Sequence, residues 1–190
     1  MAKNFYIADP HFGHGNIIKL EDRPFASKAE MEQKMTENWN NAVSSEDTVY
    51  ILGDFGWGTE DEWIRILKNL NGKKVLIRGN HDPIRFENDE LYSQFQSVRD
   101  YIKIKDNGRN VILFHYPIPF YHKDYDANTY MLYGHVHKTL EETMMQEIKK
   151  YILQNDTRGN SANKCNFFNC WCGFYDYTPV TLDQILERWQ

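Results

Sequence analysis

Directly behind short apolar runs, this 190-residue chain carries two carboxylates, an amide and five imidazoles. Asp9 and His11 follow KNFYIA, Asp54 follows TVYILG, Asn80 and His81 follow KVLIRG, His115 follows NVILF, and His135 and His137 follow YMLYG. Carboxylate and amide oxygens and imidazole nitrogens suit divalent transition metals, and no thiolate is among them. His135 and His137 occupy alternate positions, a spacing that lets both reach one site. So many ligand-competent groups at strand ends have no stability rationale, and they are numerous enough to hold two ions.

The elements that position them read as a layered α/β fold. The runs at Lys3–Ala8, Thr48–Leu52 and Lys74–Arg78 are β-branched or apolar and stop at Asp-Pro, Gly-Asp and Gly-Asn, as buried strands do on reaching a surface loop. Capping boxes at Ser27/Glu30 and Thr59/Glu62 start helices over about 28–43 and ahead of Trp63–Leu70, and Asn71-Gly72 ends the second. Strand, helix, strand over this length is a βαβ unit with parallel strands. Beyond it, Val98–Lys105 and Arg109–Phe114 read as a hairpin around Asp106-Asn107-Gly108, followed by a strand at Tyr130–Tyr133. A helix over about 140–153 has Leu140, Met144, Ile148 and Ile152 at four-residue spacing, residues 155–163 read as a polar loop, and a strand pair near 165–177 and a helix from Thr181 complete the chain. Strand ends from distant parts of the sequence converge on one edge of such a fold, which is where its crevice lies.

Length fits a single domain over 1–190, and 41% hydrophobic with 15% aromatic residues supplies its core. Mean hydropathy is −0.69, and no apolar run approaches the roughly 20 residues of a membrane span. The first residues lack the pattern of a signal peptide, which leads us to expect a cytoplasmic protein. Net charge is −5, a poor match for a long polyanion unless local cations such as Lys19, Arg23, Arg78 and Arg85 form a patch. Cys165, Cys170 and Cys172 are odd in number and crowded together, and read as free thiols of a reducing compartment.

With Asp9-Pro10-His11, Gly53-Asp54, Gly79-Asn80-His81-Asp82, His115 and Gly134-His135-Val136-His137 present in this order, the chain resembles the calcineurin-like metallophosphoesterases. Segments such as HFGHGNII, DRPF and YDYTPVTLDQI look like a group of short bacterial and phage members. The resemblance implies a four-layer α/β-β/α sandwich, two mixed sheets packed face to face and flanked by helices, with a dinuclear centre of Mn, Fe or Zn at one end. It puts Asp9, His11, Asp54 and His137 on one ion and Asp54, Asn80, His115 and His135 on the other, with Asp54 bridging. A metal-bound hydroxide would then attack phosphorus in line. His81 would stabilise developing charge or protonate the leaving oxygen, with Asp82 holding its ring.

The expected activity is hydrolysis of small phosphodiesters or nucleotides. A nuclease needs a basic track with stacking aromatics beside the metals, for which Trp57, Tyr116, Phe120, Tyr121 and Tyr125 are the rim candidates. A scaffold that has lost turnover would have lost His81 or a ligand, and neither is missing. For substrate contact, the loop after the first strand offers His14, Asn16 and Arg23. Arg23 suits either a phosphate or a surface ion pair.

Overall fold

Along the first strand Phe5 and Ile7 face one way and Tyr6 and Ala8 the other, and all are buried, so this strand is covered on both faces. The computed structural model describes residues 2–83 and 88–189. Strands β1 (Asn4–Ile7), β2 (Thr48–Ile51), β3 (Lys73–Ile77) and β4 (Ser97–Arg99) form one sheet in that order, all parallel. Strands β5 (Tyr101–Asp106), β6 (Arg109–Phe114), β7 (Thr129–Tyr133) and β8 (Phe167–Asn169) form the second, with β5 antiparallel to β6 and the rest parallel. An antiparallel bridge between Tyr6 and Val180 gives the first sheet its own mixed edge.

Helices α1 (Gly15–Leu20), α2 (Lys28–Ala42), α3 (Glu60–Asn69), α4 (Asp89–Ser93), α5 (Leu140–Asn155) and α6 (Leu182–Trp189) complete the fold. Phe5, Ile7 and Ile51 pack with Met31, Met35 and Trp39 of α2 and Trp63, Ile66 and Leu67 of α3. Tyr6, Leu52, Val75 and Ile77 meet Val111, Leu113, Leu132 and Phe168 between the sheets, joined by Leu182 and Ile185 of α6. Ile112, Met131 and Tyr133 pack on Met145 and Ile152 of α5. The layers are therefore helix, sheet, sheet, helix. Asn107 and Gly108, both at positive φ, make the tight β5–β6 turn.

Three local expectations need correction. The strand expected over 98–105 is two strands in different sheets. They divide at Asp100, which takes the Arg78 guanidinium at 2.8 and 2.7 Å where the chain crosses over. On α5, Leu140 and Met144 are exposed and the buried face is Met145 and Ile152, because each four-residue step overshoots a full turn by roughly 40° and a strict stripe drifts off the core. The strand pair near 165–177 is β8 alone. After it the chain leaves for β1, where Ala8 N–H donates to Cys170 O and Cys172 N–H to Ala8 O, both at 2.9 Å, and then coils into a short 3-10 turn over Cys172–Tyr175. The capping box at Thr59/Glu62 is reciprocal, whereas Glu30 answers Ser27 by reaching past it to Ala26 N–H.

Candidate metal centre

Loops after β1, β2 and β3 of one sheet and β6 and β7 of the other meet at a single edge. Asp9, His11, Asp54, His135 and His137 all lie at φ between 42° and 69°, a left-handed backbone that L-residues avoid and that functional sites tolerate. The loops interlock too closely for side chains between them. A Cβ on Gly79 would stand 2.1 Å from Asp54 Oδ1, and one on Gly134 would stand 2.5 Å from Asp9 Oδ2.

Asp9, His11 and His137 bring ligand atoms within 4.8 Å of one another, as do Asp9, Asp54 and His115. Asp54 Oδ2 lies 3.9 Å from His11 Nε2 and 3.7 Å from His115 Nε2. His115 Nδ1 donates to the Leu52 carbonyl at 2.8 Å, and its Nε2 lies 3.0 Å from Asn80 Oδ1. Asp9 comes closest to His115 at Nδ1, 3.9 Å away, whereas Asp54 comes closest to Nε2 of both imidazoles. Backbone N–H groups aim both carboxylates: His135 donates to Asp9 and His81 to Asp54. Asn80 and His135 sit exposed at the mouth, with the His135 ring 5.1 Å from that of His115. Burial, reinforced by the nearby His137 and Arg23, pushes His11 down to about 2 and keeps its imidazole neutral.

Two residues are placed otherwise than expected. Asp82 does not hold the His81 ring. Its buried carboxylate accepts the backbone N–H groups of Asp54, Gly79 and Phe55 at 2.8–2.9 Å, clamping two ligand loops together. Arg23 is neither a surface ion pair nor a substrate contact. It is buried beneath the site, donating to the Pro10 and Asp9 carbonyls at 2.8 and 3.2 Å and to Glu21 at 2.7 Å, so its fork is spent inside the protein.

Sequence reasoning missed Glu21, Glu142 and Asn169. Glu21 sets its other carboxylate oxygen against His137 Nδ1, while His137 Nε2 lies 3.4 Å from Asp9. Burial lowers the pKa of His137, but these two carboxylates prevail and push it up to about 10. Buried Glu142 accepts from Tyr133 and Asn169, and Asn169 also donates to the His137 carbonyl at 2.8 Å. Glu21 reads in sequence as an ordinary surface acid just ahead of DRPF, and its one available signal is proximity to Arg23.

At the rim, the exposed His81 ring lies 5.9 Å from that of His11 and 5.5 Å from Trp57. His14 stacks on Trp57 at 4.8 Å, and Asn16 is exposed on α1. Tyr116 packs against His135 at 4.5 Å. Tyr121 is instead buried in the core under α5, and Phe120 and Tyr125 are exposed. Of the expected cations, Lys19 is exposed on α1, Arg78 pairs with Asp100, and Arg85 lies outside the described residues.

The model of the family described as calcineurin-like phosphoesterase matches residues 5–189. The chain belongs to the calcineurin-like phosphoesterases. It is 32% identical to the uncharacterized protein MJ1445 of Methanocaldococcus jannaschii over 98% of this chain and 91% of that one. It is 29% identical to the Gene 66 protein of a Mycobacterium phage over 76% of this chain and 83% of the other. A crystal structure of a protein of unknown function, AQ665 from Aquifex aeolicus, superimposes with a TM-score of 0.69 at 27% identity, covering 98% and 99% of the two chains.

Calcineurin-like phosphoesterases depend on metal, and the donors here fit one. The two ring nitrogens of His11 are buried with no hydrogen-bond partner among the described residues, an arrangement that costs about 1–3 kcal/mol per group unless a ligand takes it up. Among the described residues no helix is long and apolar enough to cross a membrane.

Proposed function

We propose that this calcineurin-like phosphoesterase hydrolyses phosphate esters through a dinuclear centre and favours small phosphodiesters or nucleotides. The observation that carries the reading is Asp54 Oδ2 standing between His11 Nε2 and His115 Nε2, at 3.9 and 3.7 Å. A shared anion is what two closely spaced cations require. On this reading Asp9, His11, Asp54 and His137 hold one ion, and Asp54, Asn80, His115 and His135 hold the other, as Mn, Fe or Zn. Such a pair, when bound, supplies Lewis acidity to a phosphoryl group and acidifies water.

The remaining work falls to the chain. His81 stands exposed beside the ligands, with its backbone anchored on Asp54 and its ring free to give a proton to the leaving oxygen. Asp82 and Arg23 fix the backbone of the ligand loops from below, and Glu21 orients His137, as carboxylates behind metal-bound imidazoles do. A family match over residues 5–189 supports one catalytic unit. Three buried, unpaired cysteines support a reducing compartment, the cytoplasm.

The test is a screen of manganese-, iron- and zinc-loaded protein on aryl phosphate mono- and diesters. Metal-dependent release from the diester, abolished in Asp54→Ala, is the expected result. No release from either ester with any metal would refute the reading.

A further inference from the structure

Beside His81 lies a cavity of about 270 Å³ that none of the candidate metal ligands lines. Trp57, Trp63, Pro83 and Leu91 give it apolar and aromatic walls, and Glu60 is the one carboxylate lining it among the described residues. Pockets for drug-sized ligands run from about 300 Å³ upward, so this one suits a single ring system.

We propose that this cavity is a leaving-group subsite for an uncharged planar aromatic ring, with Trp57 as the residue that sets the preference. The proposal rests on His81 acting at the leaving oxygen, and three further observations carry it.

First, His81 belongs to both places. Its ring is 5.9 Å from that of His11 in the centre and it also lines the cavity. A substituent on the oxygen that takes the His81 proton is thereby directed toward these walls.

Second, Trp57 is 48% exposed yet held in place. Its backbone N–H donates to Phe12 O at 2.7 Å, its carbonyl would lie 2.4 Å from a Cβ on Gly13, and its indole stacks on His14 at 4.8 Å and 27°. A large apolar ring ordered before any ligand arrives gives stacking area with little further loss of side-chain freedom.

Third, among the described residues the charge lining the cavity is negative. Glu60 and Asp61 open α3 ahead of Glu62, which pairs with Lys28 at 3.2 Å, and Glu60 accepts from Asn88 at 3.1 Å beside the cavity. Acidic groups there disfavour a second phosphate, which distinguishes a neutral ring from the next unit of a nucleic-acid strand.

The experiment compares methyl phosphodiesters whose other alcohol is benzyl alcohol, the 5′-hydroxyl of adenosine, or ring-free 2-methoxyethanol, with manganese-loaded wild type, Trp57→Ala and Trp57→Phe. The benzyl and adenosine arms separate a generic aryl group from a nucleoside. In wild type, kcat/KM for release of at least one ring-bearing alcohol should exceed that for the ring-free alcohol by about tenfold, the scale of one stacked base. Trp57→Ala should remove most of that ratio and Trp57→Phe should keep it. A wild-type ratio near one, or a ratio unchanged in Trp57→Ala, overturns the subsite. If no ester is turned over, the phosphoesterase reading fails by itself and calorimetric titration with adenosine and with benzyl alcohol decides the subsite. Saturable binding of either that Trp57→Ala weakens about tenfold upholds it, and no binding of either, or binding that Trp57→Ala leaves unchanged, overturns it.

Discussion

One carboxylate oxygen of Asp82 accepts the backbone N–H of Asp54 and that of Gly79, each at 2.8 Å, so a single side chain sets the spacing of two ligand loops that belong to different strands. Its other oxygen takes Phe55 N–H at 2.9 Å. Burial, aided by the neighbouring Asp54 charge, pushes Asp82 up to about 6 against these three bonds.

Asp82→Asn should therefore act on stability before chemistry. An amide offers one acceptor oxygen where the carboxylate offers two, and at least one buried N–H is left unpaired. The expected loss is about 1–3 kcal/mol, read by denaturant unfolding of metal-free protein, whereas His81→Ala, at an exposed position, should leave the midpoint nearly unchanged. Equal stability of Asp82→Asn and wild type would contradict the clamp.

Glu21→Gln should weaken metal binding by about 10- to 100-fold, because the carboxylate that accepts the Nδ1 proton of His137 and so orients its Nε2 toward Asp9 is replaced by a neutral amide. Competition with a chromophoric chelator measures this. Glu30→Gln, a change at an exposed helix start, serves as the control and should bind like wild type.

Much of this centre is legible in the sequence, because each apolar run ends at a residue that makes poor sense in a core: Asp9, Asp54, Asn80, His115 and His135 all follow their strands directly or within a few residues. What sequence spacing cannot express is which backbone group a side chain will meet. Asp82 stands next to His81 in sequence and, besides nearby Gly79, bonds to Asp54 and Phe55, 28 and 27 positions away. Arg23 reads as a phosphate contact or a surface ion pair and Glu21 as an ordinary surface acid, yet Arg23 is buried and Glu21 largely covered because the loop after β1 folds back under Asp9. At Asp100 the periodicity continues while the chain changes sheets, and only pairing partners reveal the break.

Away from the centre, Asp47 predicts an acid limb. Burial would raise its carboxyl, but hydrogen bonds from Lys3 N–H at 2.7 Å and from the N–H and hydroxyl of Ser44 at 2.8 and 2.7 Å outweigh it and hold the group below its ordinary value. A depressed carboxyl contributes stability that is complete above the unfolded value of about 3.9 and disappears as pH falls through the folded one. Unfolding midpoints of Asp47→Asn should consequently approach wild type below about pH 4, having been lower at neutral pH. A difference that stays constant across that range would contradict the ionic role.

For substrates, an acidic chain that grips one phosphate should show little salt dependence. Turnover of a small diester should change little between about 50 and 200 mM salt, a range over which a protein neutralising about 6–10 backbone phosphates loses roughly 10³–10⁵ in affinity. Tight, steeply salt-dependent cleavage of DNA or RNA would promote a nuclease instead.

The most direct test of the dinuclear centre is elemental analysis of metal-reconstituted protein alongside Asp54→Ala and His81→Ala. Two tightly held ions per chain are expected in wild type, both lost in Asp54→Ala, which removes the carboxylate lying between His11 and His115. His81→Ala should keep both ions while turnover falls by about 10²–10⁴. One ion or none in wild type, or equal metal loss in the two variants, would contradict the assignment.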